Sequence, residues 1–253
     1  MDLKLILEHH VTDHIWSWIR LGPLNLPLSK HLLMMGIAAL ILLVGFPLVI
    51  RSRSAALAPF RSMLEAVVLF LRDEVVIPNL GRKGAAYTGY FATLFFFILL
   101  MNLIGLVPYG ATATGNLAVT GGLALTTFFL INFSGIKEQG LIGYFAHLVP
   151  RGVPWWLYPL MYPIELLGLV IKTFALCIRL FANMIAGHIV ILVFICFIFI
   201  FGAFNALFGF LVAPISIGLV LFTMLLELLV AFLQAYIFVT LTAIFTGAAM
   251  HPH

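Results

Sequence analysis

ELLGLVIKTFALCIRLFANMIAGH, residues 165–188, is apolar enough to lie in a lipid bilayer, yet it carries Glu165, Lys172 and Arg179. The charges are spaced seven and seven. At 3.6 residues per turn, a seven-residue step returns to nearly the same side of a helix. The intervening positions on that side are Gly168, Ala175, Ala182 or Asn183, and Ala186. The spacing predicts a helix with one charged or small face, its other faces being Leu, Ile, Val and Phe. A guanidinium at membrane depth costs from about 2.5 kcal/mol on insertion scales to above 10 in some simulations. Small residues beside it let another backbone or helix come close. The stretch is therefore expected to present Arg179 to a moving acidic partner inside a bilayer.

The rest of the chain has the composition such a helix needs. Of 253 residues, 64% are hydrophobic and 9% charged, with a mean hydropathy of +1.19, whereas soluble domains carry roughly 25% charged residues. Several apolar runs reach the roughly 20 residues that cross a bilayer. The many short alternating segments of a barrel are missing. The expected fold class is an all-α polytopic membrane protein. The net charge of +4 does not point to nucleic acid, because the basic residues fall mostly in short connections, where they set orientation. Cys177 and Cys196 lie in apolar helix and read as small packing residues, not as a disulfide or a metal site. No Walker loop, Rossmann glycine pattern, zinc motif or exposed Ser–His–Asp set occurs. No catalytic residue, metal or cofactor is expected.

Taken in order, residues 1–29 read as a polar or interfacial arm and 30–253 as a single membrane domain. His9, His10 and His14 beside Asp13 suit either a metal site or, more plainly, a solvated and partly helical arm. Trp16 and Trp18 suit the headgroup level, and Pro23 and Pro27 break a helix. No cleavable signal is expected. About five spans are predicted, at 31–50, 85–107, 117–134, 162–202 and 205–250. Residues 55–77 carry Arg61, Glu65, Arg72, Asp73 and Glu74 among apolar residues and read as an amphipathic helix at the membrane surface. The last two spans are too long for one perpendicular crossing, since 41 residues make roughly 60 Å of helix. Each is either two short helices or one long tilted helix, with Gly202 and Asn205 the best turn between them and Pro214 and Gly218 a possible further one. If each crosses once, Arg51, Arg53, Lys137, Glu138 and Arg151 lie in the cytoplasm, the N-terminus outside and the C-terminus inside.

Beyond Arg179 the chain holds a single Asp, Glu, Lys or Arg, namely Glu227 in LLELLVAFLQAYIF. Gln234 shares its face, and Thr223 lies one turn before it, giving a second polar stripe. Such a stripe either carries water and protons or glues helices together at about 1 kcal/mol a pair. With Arg179, Asn183, His188, Glu227 and Gln234 in adjoining spans, a functional role is the stronger reading. His188 is nine residues past Arg179, half a turn away around the helix, and meets Glu227 if the two helices form an antiparallel hairpin. A His–Glu pair makes a relay that titrates near neutral pH. Glu165 and Lys172 are compatible with a structural ion pair or with the mouth of an aqueous cavity.

RLFANMIAGH at 179–188, MNLIGLVP at 101–108 and ELLVAFLQAYIF at 227–238 resemble the subunit a family of F-type ATP synthases. The resemblance covers roughly residues 30–250. It implies a membrane stator whose last two helices form a long tilted hairpin against a rotating ring of c subunits, with two offset half-channels carrying protons to and from the ring carboxylates. Arg179 matches the essential arginine, which prevents leakage and couples proton flow to rotation and ATP synthesis. Asn183, His188, Glu227 and Gln234 match positions lining the half-channel on the non-cytoplasmic side, with Glu165, Lys172 and Thr223 as secondary polar positions. Many members carry an acid where this chain has His188 and a histidine where it has Glu227. The exchange keeps one of each and leaves open which takes the proton first. The implied partners are the c-subunit ring, b-type peripheral stalk subunits, the other ATP synthase subunits and the lipid bilayer, with protons as the transported ion and ATP chemistry left to other subunits. The implied location is a bacterial plasma (inner) membrane, the mitochondrial inner membrane being the alternative. Two other classes compete: a secondary transporter with Arg179 binding an anion, which internal repeats and broken helices would favour, and a scaffold in which Arg179 and Glu227 simply pair.

Overall fold

The computed structural model describes residues 15–21, 24–52, 54–107, 112–146 and 154–250. Among the described residues, helices are long and apolar enough to cross a membrane in five places: Lys30–Arg51, Gly84–Leu106, Leu117–Gln139, Tyr158–Phe204 and Leu207–Met250. The protein is an all-α, multi-pass membrane protein, with one short β-hairpin ahead of the first span.

Of the arm expected over residues 1–29, the described part is extended, while residues 1–14 lie outside the described residues. Strands β1 (Ile15–Leu21) and β2 (Leu24–Ser29) pair antiparallel, with Leu21 opposite Leu24 and Ile19 opposite Leu26. Gly22 and Pro23, between them in sequence, lie outside the described residues. Pro27 lacks an N–H, which an edge position in a two-stranded ribbon tolerates. His9, His10, Asp13 and His14 lie outside the described residues.

Helix α1 (Lys30–Arg51) begins where the Ser29 side chain accepts the Leu32 N–H at 3.2 Å, a cap that satisfies one of the free donors of the first turn. Helix α2, residues 58–80, is the amphipathic one. Leu64, Leu71, Val75, Val76 and Leu80 are buried along one stripe, while Arg72 and Asp73 pair on the outside at 2.8 Å, a contact worth little in water. Both helices widen into a π turn, at Ile41–Gly45 and at Leu71–Val76, just ahead of Pro47 and Pro78. A proline has no N–H to offer and crowds the preceding turn, and the wider turn absorbs the misfit. Helix α2 therefore runs on through Pro78 and ends at Gly81, whose φ of 69° suits glycine.

Helix α3 (Thr88–Leu106) buries Phe91, Phe95, Ile98 and Met101, spaced four, three and three. Helix α4 (Leu117–Gln139) is capped by the Asn116 side chain, which accepts the Ala118 N–H at 2.9 Å. It continues past residue 134 to Gly140 (φ +74°). A short helix α5 (Leu141–Ala146), unforeseen from the sequence, folds back on it. The Tyr144 hydroxyl donates to Asn132 Oδ1 at 3.0 Å, and its ring occupies the space where a β-carbon on Gly135 would stand.

Helices α6 (Tyr158–Phe204) and α7 (Ala206–Met250) are each continuous and run antiparallel. Neither Pro163 nor Pro214 ends its helix. The break falls at Asn205, which is extended and accepts the Leu207 N–H on its side chain at 3.1 Å. At 47 residues α6 measures roughly 70 Å. A hydrocarbon layer of about 30 Å can hold it only steeply tilted. Helix α7 is the shared wall of the bundle, touching α6, α3, α4 and the end of α2. Its inner stripe is small, with Ala231, Ala235 and Ala243 fully buried, and a β-carbon on Gly247 would strike the Asn79 carbonyl. Gln139 Nε2 donates to the Ala249 carbonyl at 2.6 Å, pinning the far end.

Candidate functional site

The antiparallel course of α6 and α7 decides which polar residues meet. As α6 climbs from 183 to 188, α7 descends from 234 to 227. Asn183 Nδ2 donates to Gln234 Oε1 at 2.8 Å, and one and a half turns further His188 Nδ1 lies 3.7 Å from Glu227 Oε1. Gly187 makes that second meeting possible, because a β-carbon there would fall inside the Glu227 carboxylate. Glu227 is 9% exposed, and both its oxygens are buried without a hydrogen-bond partner among the described residues.

Arg179 points the other way. Leu176, Cys177, Leu180 and Met184 face the bundle interior, whereas Arg179 and Asn183 are exposed, together with Ala175, Ala182 and Ala186. Among the described residues, Arg179 forms no ion pair and no hydrogen bond. Asn183 thus stands at the seam, on the exposed side but bonded inward to the 3% exposed Gln234.

Not every polar residue of the two stripes joins this cluster. Lys172 forms no ion pair with Glu165. Its Nζ instead lies 5.7 Å from the centroid of the Phe245 ring, a cation–π contact. Thr223 donates its hydroxyl back to Leu219 O at 2.9 Å within α7.

Three residues that sequence reasoning missed complete the site from the α3–α4 side. Thr112 Oγ1 is 2.9 Å from His188 Nε2. Thr114 donates to Asn102 Oδ1 at 2.7 Å, and Asn102 Nδ2 reaches the Ala231 carbonyl at 3.3 Å. Asn102 and Thr114 are fully buried. The signal available was a buried-type asparagine inside MNLIGLVP followed by an uncharged, hydroxyl-rich connection, ATATGN. Cys177 and Cys196 are buried free thiols, and Cys177 Sγ sits 3.5 Å from Thr120 Oγ1. No metal-holding group of His, Cys, Asp and Glu occurs among the described residues.

The assembly is a buried acid facing an imidazole, an amide pair leading outward, and an unpaired guanidinium on the exposed face. It has the parts to hold and exchange protons between a buried acid and an exposed face.

Comparison with known proteins agrees in one direction. Residues 32–247 match the family described as ATP synthase A chain. The chain is 46% identical over 239 residues to an ATP synthase subunit a of Myxococcus xanthus, covering 92% of this chain and 77% of that one. It is 43% identical over 281 residues to one of Anaeromyxobacter dehalogenans, covering 100% and 72%. With one of Chloroherpeton thalassium the identity is 42% over 264 residues, covering 98% and 77%.

Proposed function

The chain belongs to the ATP synthase A chain family, and we propose that it is the stator of the membrane motor, passing protons to and from a ring of c subunits while other subunits carry out the ATP chemistry. The observation that carries this is the outward, unpaired Arg179 with small residues around it. A guanidinium so placed within an apolar helix is costly, and a partner carboxylate brought against that face offsets the cost.

The physics of such a partner fits a rotary mechanism. A ring carboxylate facing lipid is held protonated, because the ion is poorly solvated there. Opposite Arg179 the ionised form is favoured, so the carboxylate releases its proton. Arginine does not deprotonate in proteins, so it blocks direct leakage between the two half-channels. Asn183, His188, Glu227 and Gln234 line the half-channel on the non-cytoplasmic side, and Glu165 and Lys172 lie toward the other. Each proton crossing releases about 2.3 kcal/mol per 100 mV, which appears as torque.

The membrane is a bacterial inner membrane, in keeping with the bacterial relatives. The C-terminus is cytoplasmic and the N-terminus outside, following the basic residues Arg51 and Lys137 at the ends of α1 and α4. The peripheral stalk subunits hold the chain still against the ring.

The test is ATP-driven proton pumping in inverted membrane vesicles, wild type against Arg179→Ala, with assembly of the complex measured in the same preparation. Lost pumping with an intact complex is the expected result. Unchanged pumping overturns the stator role of Arg179.

A further inference from the structure

The hydrogen bonds around His188 fix more than its position. Nδ1 faces the Met184 carbonyl at 3.1 Å and Glu227 Oε1 at 3.7 Å. The Met184 carbonyl is an acceptor only, so the neutral ring carries its proton on Nδ1. Nε2 then holds a lone pair, and the group 2.9 Å from it is the Thr112 hydroxyl, which donates to it. The ring has an inner nitrogen aimed at the buried acid and an outer nitrogen aimed at the connection between α3 and α4.

The place of Thr112 is itself built. A β-carbon on Gly105 would collide with Thr112 Oγ1, Cβ and Cγ2 together. The glycine is what lets this side chain settle against α3 and reach α6. Thr112 is 7% exposed, and the next polar side chain, Thr114, is held by Asn102, which is itself bonded to the α7 backbone one turn from Glu227. The connection is thereby tied to both helices of the hairpin at the level of the His–Glu pair.

We infer that Thr112 is a member of the proton relay, its hydroxyl bonded to Nε2 of the tautomer that the Met184 carbonyl fixes and passing protons to that nitrogen, so that His188 takes the proton before Glu227. This rests on the stator reading above and orders its half-channel as Thr112, His188, Glu227. The transfer balances without any further reactant. A hydronium on the connection side gives a proton to the Thr112 oxygen as the hydroxyl proton passes to Nε2. Water is left behind and the ring becomes imidazolium. Nδ1 then releases its proton to the Glu227 carboxylate, forming the neutral acid. The ring, 35% exposed at its side chain, returns to its first tautomer by exchange with water. From Glu227 the path continues along α7 to Gln234 and across to Asn183, on the face that carries Arg179.

The experiment uses the intact complex in inverted vesicles and measures initial rates of ATP-driven proton pumping, with assembly quantified, for Thr112→Val, Thr112→Ser and Arg179→Ala. Valine keeps the shape beside Gly105 and removes the hydroxyl, and serine keeps the hydroxyl. The expected result is a fall of about tenfold for Thr112→Val, more than the roughly threefold that loss of one interhelical hydrogen bond alone accounts for, with Thr112→Ser restoring most of the rate. Wild-type pumping in Thr112→Val overturns the inference, and so does a Thr112→Ser as slow as the valine variant, because packing alone would then explain the site. Where Thr112→Val fails to assemble, Gly105→Ala decides, since it leaves the hydroxyl in the chain but takes its place. Slowed pumping supports the inference, while wild-type pumping, or failure of this variant to assemble as well, overturns it. Arg179→Ala separates the two levels: if it pumps normally the stator reading itself falls, whereas lost pumping there with normal Thr112→Val pumping removes only the role of Thr112.

Discussion

Gly187→Ala is expected to leave the complex assembled and to stop most of its proton transfer. A β-carbon at 187 would stand 2.7 Å from Glu227 Cδ and 3.0 Å from Cγ, with Oε1 closer still. The carboxylate end must retreat by roughly 1 Å to reach the 3.5 Å at which carbon atoms rest against one another. Because the obstacle is the end of a flexible side chain, the retreat costs an off-rotamer torsion, about 0.5–1.5 kcal/mol. Alanine in place of a helical glycine returns about 0.8–1.0 kcal/mol. The two offset each other to within about 1 kcal/mol, so stability hardly changes. Function does not have that tolerance. His188 Nδ1 and Glu227 Oε1 stand at 3.7 Å, already just outside the 2.6–3.2 Å at which a proton passes directly, and a further 1 Å displacement costs up to about a hundredfold in rate. Pumping in inverted vesicles should therefore fall between about ten- and a hundredfold, while the yield of assembled complex stays near wild type. Adding Glu227→Asp, which withdraws the carboxylate by one methylene, should recover part of the rate. Pumping within twofold of wild type in an intact complex would refute the claim that Glu227 receives the proton where it stands, and loss of assembly would refute the energetic balance.

Gly247→Ala should behave in the opposite way: its β-carbon meets the Asn79 backbone carbonyl, which has no rotamer to retreat to, and the overpacking should cost about 1–3 kcal/mol, seen as a lower thermal midpoint of the purified complex. A double-mutant cycle on Asn183→Ala and Gln234→Ala should give a coupling of roughly 0.6 kcal/mol in the same stability assay, the usual size of an interhelical hydrogen bond. A bond of that size accounts for only about a threefold change in rate, so a larger pumping loss in either single variant marks a role in transfer, and a smaller one marks glue. Arg179→Lys should assemble normally and fail to restore pumping, because an ammonium loses its proton when desolvated and lacks the planar fork that holds a carboxylate; measured pumping equal to wild type would contradict this.

Most of the architecture is legible in the sequence because lipid leaves few choices. Every backbone group must be satisfied within its own segment, so each long apolar run is a helix, and the charged run at 55–77 stands out against them. What the sequence hides is how a helix treats a proline. The helix expected over 55–77 stops just short of Pro78, yet α2 passes through that proline by opening a π turn and stops only at Gly81. Pro214 reads as a possible turn and α7 ignores it, while Asn205 breaks the chain because its side chain can cap the helix that follows. The pairing of residues 15–21 with 24–29 is hidden for a related reason. Pro23 and Pro27 break a helix there, but whether what remains is a loop or a hairpin depends on cross-strand pairing that no periodicity of a short mixed segment reveals.

The site divides along the same line. Spacing of seven places Glu165, Lys172 and Arg179 on one side of α6, and spacing of nine turns His188 away from Arg179. Those are properties of one helix, and they can be counted. That His188 meets Glu227 requires the hairpin, and its closeness requires Gly187, which from sequence looks like any small residue in a membrane helix. Thr112 lies beyond counting altogether, because its bond to His188 spans 76 residues and two other helices. Yet it is the contact that gives the pair a direction. A histidine beside a glutamate can pass a proton either way, and the exchange of acid and imidazole relative to many family members makes the order undecidable from residue types. A hydroxyl on Nε2 and a carbonyl on Nδ1 make the two ring nitrogens unequal, one opening toward the connection and one toward the buried acid. The asymmetry resides in the fold that brings α3, α6 and α7 together, because it sets a hydroxyl on one ring nitrogen and a carbonyl on the other.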